Sequence, residues 1–276
     1  MFSTWYNCNK LLEFNVLNTG NVTNMRSAWN RCSSLTSFPL IDTPNVTDMT
    51  YTWYKCYKLT AFPLIDTSKV TNMESTWRDI YDITSFPAID TSSVNNMLYT
   101  WYDCYGLKTF PLIDTSNVTN MESTWRGCYE LTSFPAIDTS NVTNMLNTWF
   151  ACYALTSFPS IDTSSVTDLH SAWYACINLT SFPSIDTSKC TDMGYTWAKC
   201  SKMETMGKID VSSTTETNYM FYSAGKLRCI KEIVNTTNVK LADRVFFFAK
   251  KLVHPNTTEQ ASILDGNTWV NDTPCV

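Results

Sequence analysis

Tryptophan stands at positions 5, 29, 53, 77, 101, 125, 149, 173 and 197, a spacing of 24 residues without a slip, while Trp269 lies outside the series. A period of that length specifies a stacked coil, because one unit cannot bury its own apolar face and must lean on its neighbours. Other rows keep the same step. Cys follows three residues after Trp at 8, 32, 56, 104, 128, 152, 176 and 200, with Ile80 filling the one gap. Pro recurs from 39 to 183 and Asp from 42 to 210. The expected architecture is a right-handed α/β repeat, a leucine-rich-repeat-like solenoid of about eleven turns and roughly 50 Å at strand spacing.

One unit, residues 115–137, reads TSNVTNMESTWRGCYELTSFPAI. Val118, Met121, Trp125, Cys128 and Leu131 fall at steps of three or four, which predicts one short helix per unit with its apolar stripe facing the stack. Thr119 and Glu122 have the spacing of a capping box, repeated by Thr71 and Glu74. Leu131, Phe134 and Ile137 then predict one short strand, with Pro135 where no ladder N–H is required. The Asp138 to Asn141 segment turns the chain back, since Asp and Ser readily bond their own backbone.

The motif SSVTDLHSAWYACINLTSFPSI, residues 164–185, resembles the BspA-like leucine-rich repeat, with its aromatic, two spacers, Cys, two spacers and Leu. It is more closely similar to the tandem repeat of bacterial surface proteins, typified by a TSNVTNM start followed by an aromatic, Cys and LTSL, and found also in phage and protist sequences. The resemblance covers roughly residues 1–252. Trp replaces the usual Phe, which should widen the core. What the resemblance implies is a non-enzymatic, surface-exposed interaction role with an open choice of ligand.

The array decays after residue 204. Phe221 and Ala224 take the Trp and Cys positions, and Phe246, Ala249 and Leu252 do so again after a one-residue insertion. The expected division is a solenoid over 1–252 and a C-terminal cap over 253–276. No equivalent cap precedes the first turn. Met1, Trp5, Leu11, Phe14 and Leu17 repeat the buried positions of later units, so they form a candidate assembly surface for another polypeptide.

Composition excludes several classes. A net charge of -5 without any Lys/Arg run argues against a nucleic-acid partner. The longest strongly apolar stretch, Val245 to Ala249, is far too short to span a membrane, and no charged-then-apolar leader opens the sequence. Only 7 glycines speak against phosphate-cradling loops. His170 and His254 are isolated, and no Ser/His/Asp or paired-carboxylate arrangement singles out one turn, so no catalytic residue, cofactor or metal is expected.

The cysteine ladder, interchangeable with Ile80, Ala224 and Ala249, reads as a row of small buried hydrophobes. Cys190 replaces a core Val. Cys229 and Cys275 lie outside the pattern and could be joined. The Asp ladder, Asp42 to Asp186, reads as carboxylates accepting N–H groups in their own turns, with a row of calcium sites as the sharper alternative. Asn-x-Thr triplets at 21, 45, 117, 141, 178, 235, 256 and 271 could be glycosylated in a eukaryotic secretory route, but four of them are the helix-entry sequence, which turn chemistry explains without sugar. The Thr row 36, 60, 84, 132, 156 and 180 admits an ice-binding reading.

The outer face is more informative. One residue after each Trp come Tyr54, Arg78, Tyr102, Arg126, Phe150 and Tyr174, a composition that suits an interface with protein or glycan. Four after it come Tyr57, Tyr81, Tyr105, Tyr129 and Tyr153, expected mostly to pack on one another. The first row follows a 48-residue super-repeat, MESTWR against MLYTW. The function expected is surface adhesion or receptor binding through this lateral face, on a cell or virion. The alternative is a structural subunit of a fibre or phage virion that assembles through the first turn.

Overall fold

The computed structural model describes residues 1–15, 17–234 and 245–246. The chain coils once every 24 residues and stacks like on like. Trp29, Trp53, Trp77, Trp101, Trp125, Trp149, Trp173 and Trp197 are fully buried. Their rings lie nearly parallel, with centroids 5.6 Å apart for Trp29 and Trp53 and 5.2 Å for Trp149 and Trp173. Phe221 and Phe246 continue the column at 5.3 Å, although 25 residues rather than 24 separate them. A row of Phe packs edge-on against it, Phe134 standing 4.8 Å from Trp125 at 72°. Val, Met, Cys, Leu and Ile rows complete the interior. The indole N–H groups of these eight Trp are buried without an acceptor, which explains why Phe can extend the column without penalty.

The expected helix is corrected. Among the described residues no helix occurs, and the segment around each Trp is a run of tight turns. Trp125 N–H donates to Thr148 O of the next coil at 2.9 Å, and Met121, Ser123 and Gly127 do the same with Asn144, Leu146 and Phe150. The N–H groups between them, on Thr124, Arg126 and Cys128, close i→i−3 turns instead. This alternation requires a left-handed residue two before and two after each Trp: Ser123 at φ 53° and Gly127 at φ 76°, Asn147 at 56° and Ala151 at 61°. A helix would satisfy its N–H groups within one unit. Here half of them are given to the neighbouring coil, which ties the stack together along its axis.

The expected capping box is corrected with it. Glu122 N–H donates to Asn120 Oδ1 at 2.9 Å, and Thr119 Oγ1 donates to Asn95 O of the preceding coil. Asn120 belongs to a row of single parallel bridges from Asn24 to Glu216, one per turn.

The expected strand in every unit is also corrected, because the ladder is complete only near the C-terminal end of the described residues. There β1 (Ser181–Phe182), β2 (Thr205–Asp210) and β3 (Cys229–Val234) form a parallel sheet in that order. Earlier units carry Pro at the centre of this segment, from Pro39 to Pro183, and Pro has no N–H to offer a ladder. Gly207 and Lys231 occupy that position in β2 and β3. A Cβ on Gly207 would fall 2.1 Å from Ser184 N, so only glycine allows the close approach.

At the far corner the Asp carboxylates bond within their own turns. Asp114 Oδ1 accepts from Ser116 N–H at 2.9 Å and from its hydroxyl at 2.7 Å. Those bonds hold the Asp66, Asp114 and Asp162 carboxyls below the ordinary range. Each following Thr, such as Thr115 and Thr139, donates its hydroxyl to the Asp carbonyl of the next coil. The proposed cap, 253–276, lies outside the described residues, as do Ala249, Leu252 and His254.

Candidate functional site

The row one residue after Trp forms a single lateral stack of half-buried side chains. The Arg78 guanidinium lies 4.4 Å from the Tyr102 ring, 5.0 Å from Tyr99 and 5.5 Å from Tyr54. Arg126 lies 4.0 Å from Phe150 and 5.6 Å from Tyr102. Phe150 stacks on Tyr174 at 4.6 Å, and Lys199 sits 5.1 Å over Tyr174. All six sequence-predicted residues are therefore brought together. Their ring faces and guanidinium planes are turned on one another, leaving edges, N–H groups and hydroxyls for a partner.

The 48-residue alternation has a physical basis that the sequence did not disclose. Tyr51 and Tyr99, two before Trp in one kind of turn, donate their hydroxyls to Glu74 and Glu122 in the other, at 2.8 and 3.0 Å. Tyr99 and Tyr102 meet edge-on at 5.6 Å, and Arg78 is placed against both. Tyr-rich and Glu/Arg-bearing turns are complementary partners, and only alternation pairs each with the other.

The second row, Tyr57 to Tyr153, is a column of stacked rings 4.6–4.8 Å apart. Beside it stand two carboxylates, Asp79 and Asp103. Burial pushes the Asp79 carboxyl up to about 6, with Arg78 opposing and Asp103 adding to the shift. Asp103 is raised by burial too, despite the Tyr105 hydroxyl that donates to its Oδ2 at 3.0 Å. Burial also raises Tyr81 to about 12. Asp79 and Asp103 occupy the left-handed position two after Trp, where other turns carry Asn, Arg, Lys, Gly, Ala or Ser, and sequence spacing gave no sign of their burial.

His170, isolated in sequence, meets Asp192 of the next coil at 3.1 Å, where Gly194 leaves room for its ring. The ladder thiols Cys32, Cys56, Cys104, Cys128, Cys152, Cys176 and Cys200 are buried and free, each with Sγ near a Trp carbonyl of the preceding coil, as Cys152 is to Trp125 O at 3.4 Å. Burial pushes Cys32 and Cys200 up to about 12. Cys8 is free and exposed. Cys229 is disulfide-bonded, and Cys275 lies outside the described residues. The amides of Asn117 and Asn141 donate to backbone carbonyls of the preceding coil at 2.7 Å, as turn chemistry predicts.

In the first coil Met1, Trp5, Leu11, Phe14 and Leu17 pack on the core but stay half-buried. Trp5 stacks on Trp29 at 5.1 Å and Phe14 on Trp29 at 5.4 Å, while Phe2 is 66% exposed. No helix among the described residues is long and apolar enough to cross a membrane.

Among solved structures, the chain is similar to a leucine-rich repeat protein from Bacteroides ovatus, at 14% identity and a TM-score of 0.37, covering 88% of this chain and 73% of that one. It is also similar to a leucine rich cell surface protein from Faecalibacterium prausnitzii, at 17% identity and a TM-score of 0.40, covering 84% and 76%. No curated protein matches the chain. A profile described as Mycoplasma protein of unknown function, DUF285, matches residues 1–109, 47–157, 107–171 and 150–259. Those overlapping matches together run from residue 1 to 259, over the whole tryptophan series, and the chain belongs to the DUF285 family of tandem-repeat proteins.

Proposed function

We propose that this chain is a non-enzymatic surface repeat protein that adheres to protein or glycan through its lateral face, displayed outside a cell or on a virion. The right-handed sense of the coil and a cap over 253–276 belong to the same proposal. The observation that carries it is the stack of Tyr54, Arg78, Tyr102, Arg126, Phe150 and Tyr174, half-exposed along six successive turns and rich in the residue types that dominate interfaces. Rigid, mutually stacked side chains lose little entropy when a partner docks. Similarity to a leucine rich cell surface protein points the same way. The test is binding of the labelled chain to cells by flow cytometry. Arg78→Glu with Arg126→Glu should reduce binding about ten-fold or more while Lys189→Glu leaves it unchanged; equal binding by both variants contradicts the proposal.

The half-buried first coil favours a second reading, a structural subunit of a fibre or phage virion that assembles through this end. Met1, Trp5, Leu11, Phe14 and Leu17 offer apolar surface to another polypeptide, whether a second copy, a fibre partner or further chain. Leu11→Lys with Phe14→Glu should lower the sedimentation coefficient of any assembly, and unchanged sedimentation speaks against it.

A further inference from the structure

The regular pattern breaks at one place on the lateral face. Ile80 stands where every neighbouring turn has Cys, and the loop after it is redrawn: Tyr81 directs its N–H at Tyr57 O at 3.1 Å, where Tyr129 and Tyr153 bond within their own turns, and shares that oxygen with the Asp82 N–H at 3.3 Å. Gly106 lies against this loop, its N–H on Tyr81 O at 3.0 Å, and a Cβ there would come within 2.9 Å of the same oxygen. Lys108 interrupts the exposed Thr row in the same coil. Together these departures form an open recess of about 410 Å³, within the range of about 300–1,000 Å³ usual for small-ligand sites.

We infer that the recess bounded by Asp82, Tyr105, Lys108, Tyr129 and Glu130 is a glycan subsite, taking a neutral sugar residue or a pair of them. Tyr81, Tyr105 and Tyr129 cover one another's faces at 4.6 and 4.7 Å, so the aromatic wall offers edges and hydroxyls rather than a stacking platform. The rest of the lining is polar and of both signs. Asp82 and Glu130 are exposed carboxylates from the coils on either side of Gly106, and Lys108 Nζ lies 3.7 Å from Glu130. No donor meets the Asp82 carboxylate among the described residues. A simple cation would be opposed by Lys108 and a simple anion by both carboxylates. A sugar hydroxyl donates and accepts at once, which is what acceptors and donors side by side in a rigid recess can satisfy. Without a free aromatic face the single site is weak, and displaying several copies together strengthens binding by avidity.

This deepens the lateral-face reading and rests on it. The experiment displays the biotinylated full chain on streptavidin against an array of defined oligosaccharides, then titrates each bound oligosaccharide in solution. Asp82→Ala and Glu130→Ala lie on exposed side chains and should each weaken binding about five- to ten-fold, with Lys189→Ala unchanged and thermal melting preserved in all three. Binding lost only on Arg78→Ala and Arg126→Ala overturns the subsite and leaves the lateral-face reading standing. An empty array from a chain that still binds cells through that face overturns the glycan inference alone, in favour of a protein ligand. Glycan binding that none of these substitutions affects overturns both.

Discussion

The tryptophan column and the arginine stack sit one residue apart in sequence and differ in what water sees. Trp125 is fully buried, and truncation to alanine opens a cavity in a column that has neighbours above and below; the expected cost is about 3–5 kcal/mol. Arg126 lies half-buried on Phe150 and Tyr102, a contact of about 0.5–1 kcal/mol. Thermal melting of Trp125→Ala and Arg126→Ala should therefore separate widely, and equal shifts contradict the orientation of the coil. The thiols behave as the column's small partners. A thiol reagent should label Cys8 at once in the native protein and Cys56, Cys104, Cys128 and Cys152 only on denaturation, because burial holds them as neutral thiols. Rapid native labelling of the ladder contradicts this. Asp79 adds a pH dependence. Its carboxyl, raised to about 6 by burial, binds a proton more tightly in the folded chain than in the unfolded one, so it lowers stability as pH rises from about 4 to 6. The loss is on the order of 1–3 kcal/mol. Asp79→Asn should remove that slope from a pH series of chemical melts, and an unchanged slope places the titration elsewhere. All the column residues were legible from period and residue type. The burial of Asp79 and Asp103 was not, because every residue of that row shares the same left-handed bend, and nothing in spacing distinguishes the buried Asp79 from a half-buried Lys55.

At the scale of one coil, spacing misleads. Apolar residues at 118, 121, 125, 128 and 131 fit a helical stripe, yet the same steps of three and four arise from consecutive i→i−3 turns, each returning a side chain to the core. The difference lies in the residues two before and two after Trp, which are Ser, Tyr, Asn, Arg, Lys, Asp, Ala or Gly without common chemistry, and which the coil holds at positive φ. Gly127 was the one visible hint. The strand was misread in the opposite sense: Pro was placed at a tolerated position in a ladder, whereas it prevents the ladder until Gly207 replaces it. Ala151 gives the decisive substitution. At φ 61° an alanine pays about 1–2 kcal/mol that glycine avoids, so Ala151→Gly should be neutral or raise the melting temperature. In a helix the same change lowers stability by about 1 kcal/mol, and that result would restore the helical reading.

The whole molecule is a sum of coils and their interfaces, each coil bound to the next by carbonyls along the axis, by the tryptophan column and by the lateral stack. That form was legible from period alone, since the array repeats the same step from Trp5 to Trp197. The complementarity of alternate turns was not, because it depends on which side chains from neighbouring coils face one another. The central claim, that one coil occupies 24 residues and that equivalent residues stack, is tested most directly by chemical unfolding of two deletions. Removing residues 139–162 joins Asp138 to Thr163, brings Trp125 over Trp173 and sets Arg126 beside Tyr174. Removing residues 139–150, half that length, sets every later row out of step. The full-coil deletion should unfold cooperatively with only modestly reduced stability, and the half-coil deletion should lose the cooperative transition. Equal tolerance of the two, or loss of the transition in both, contradicts the account.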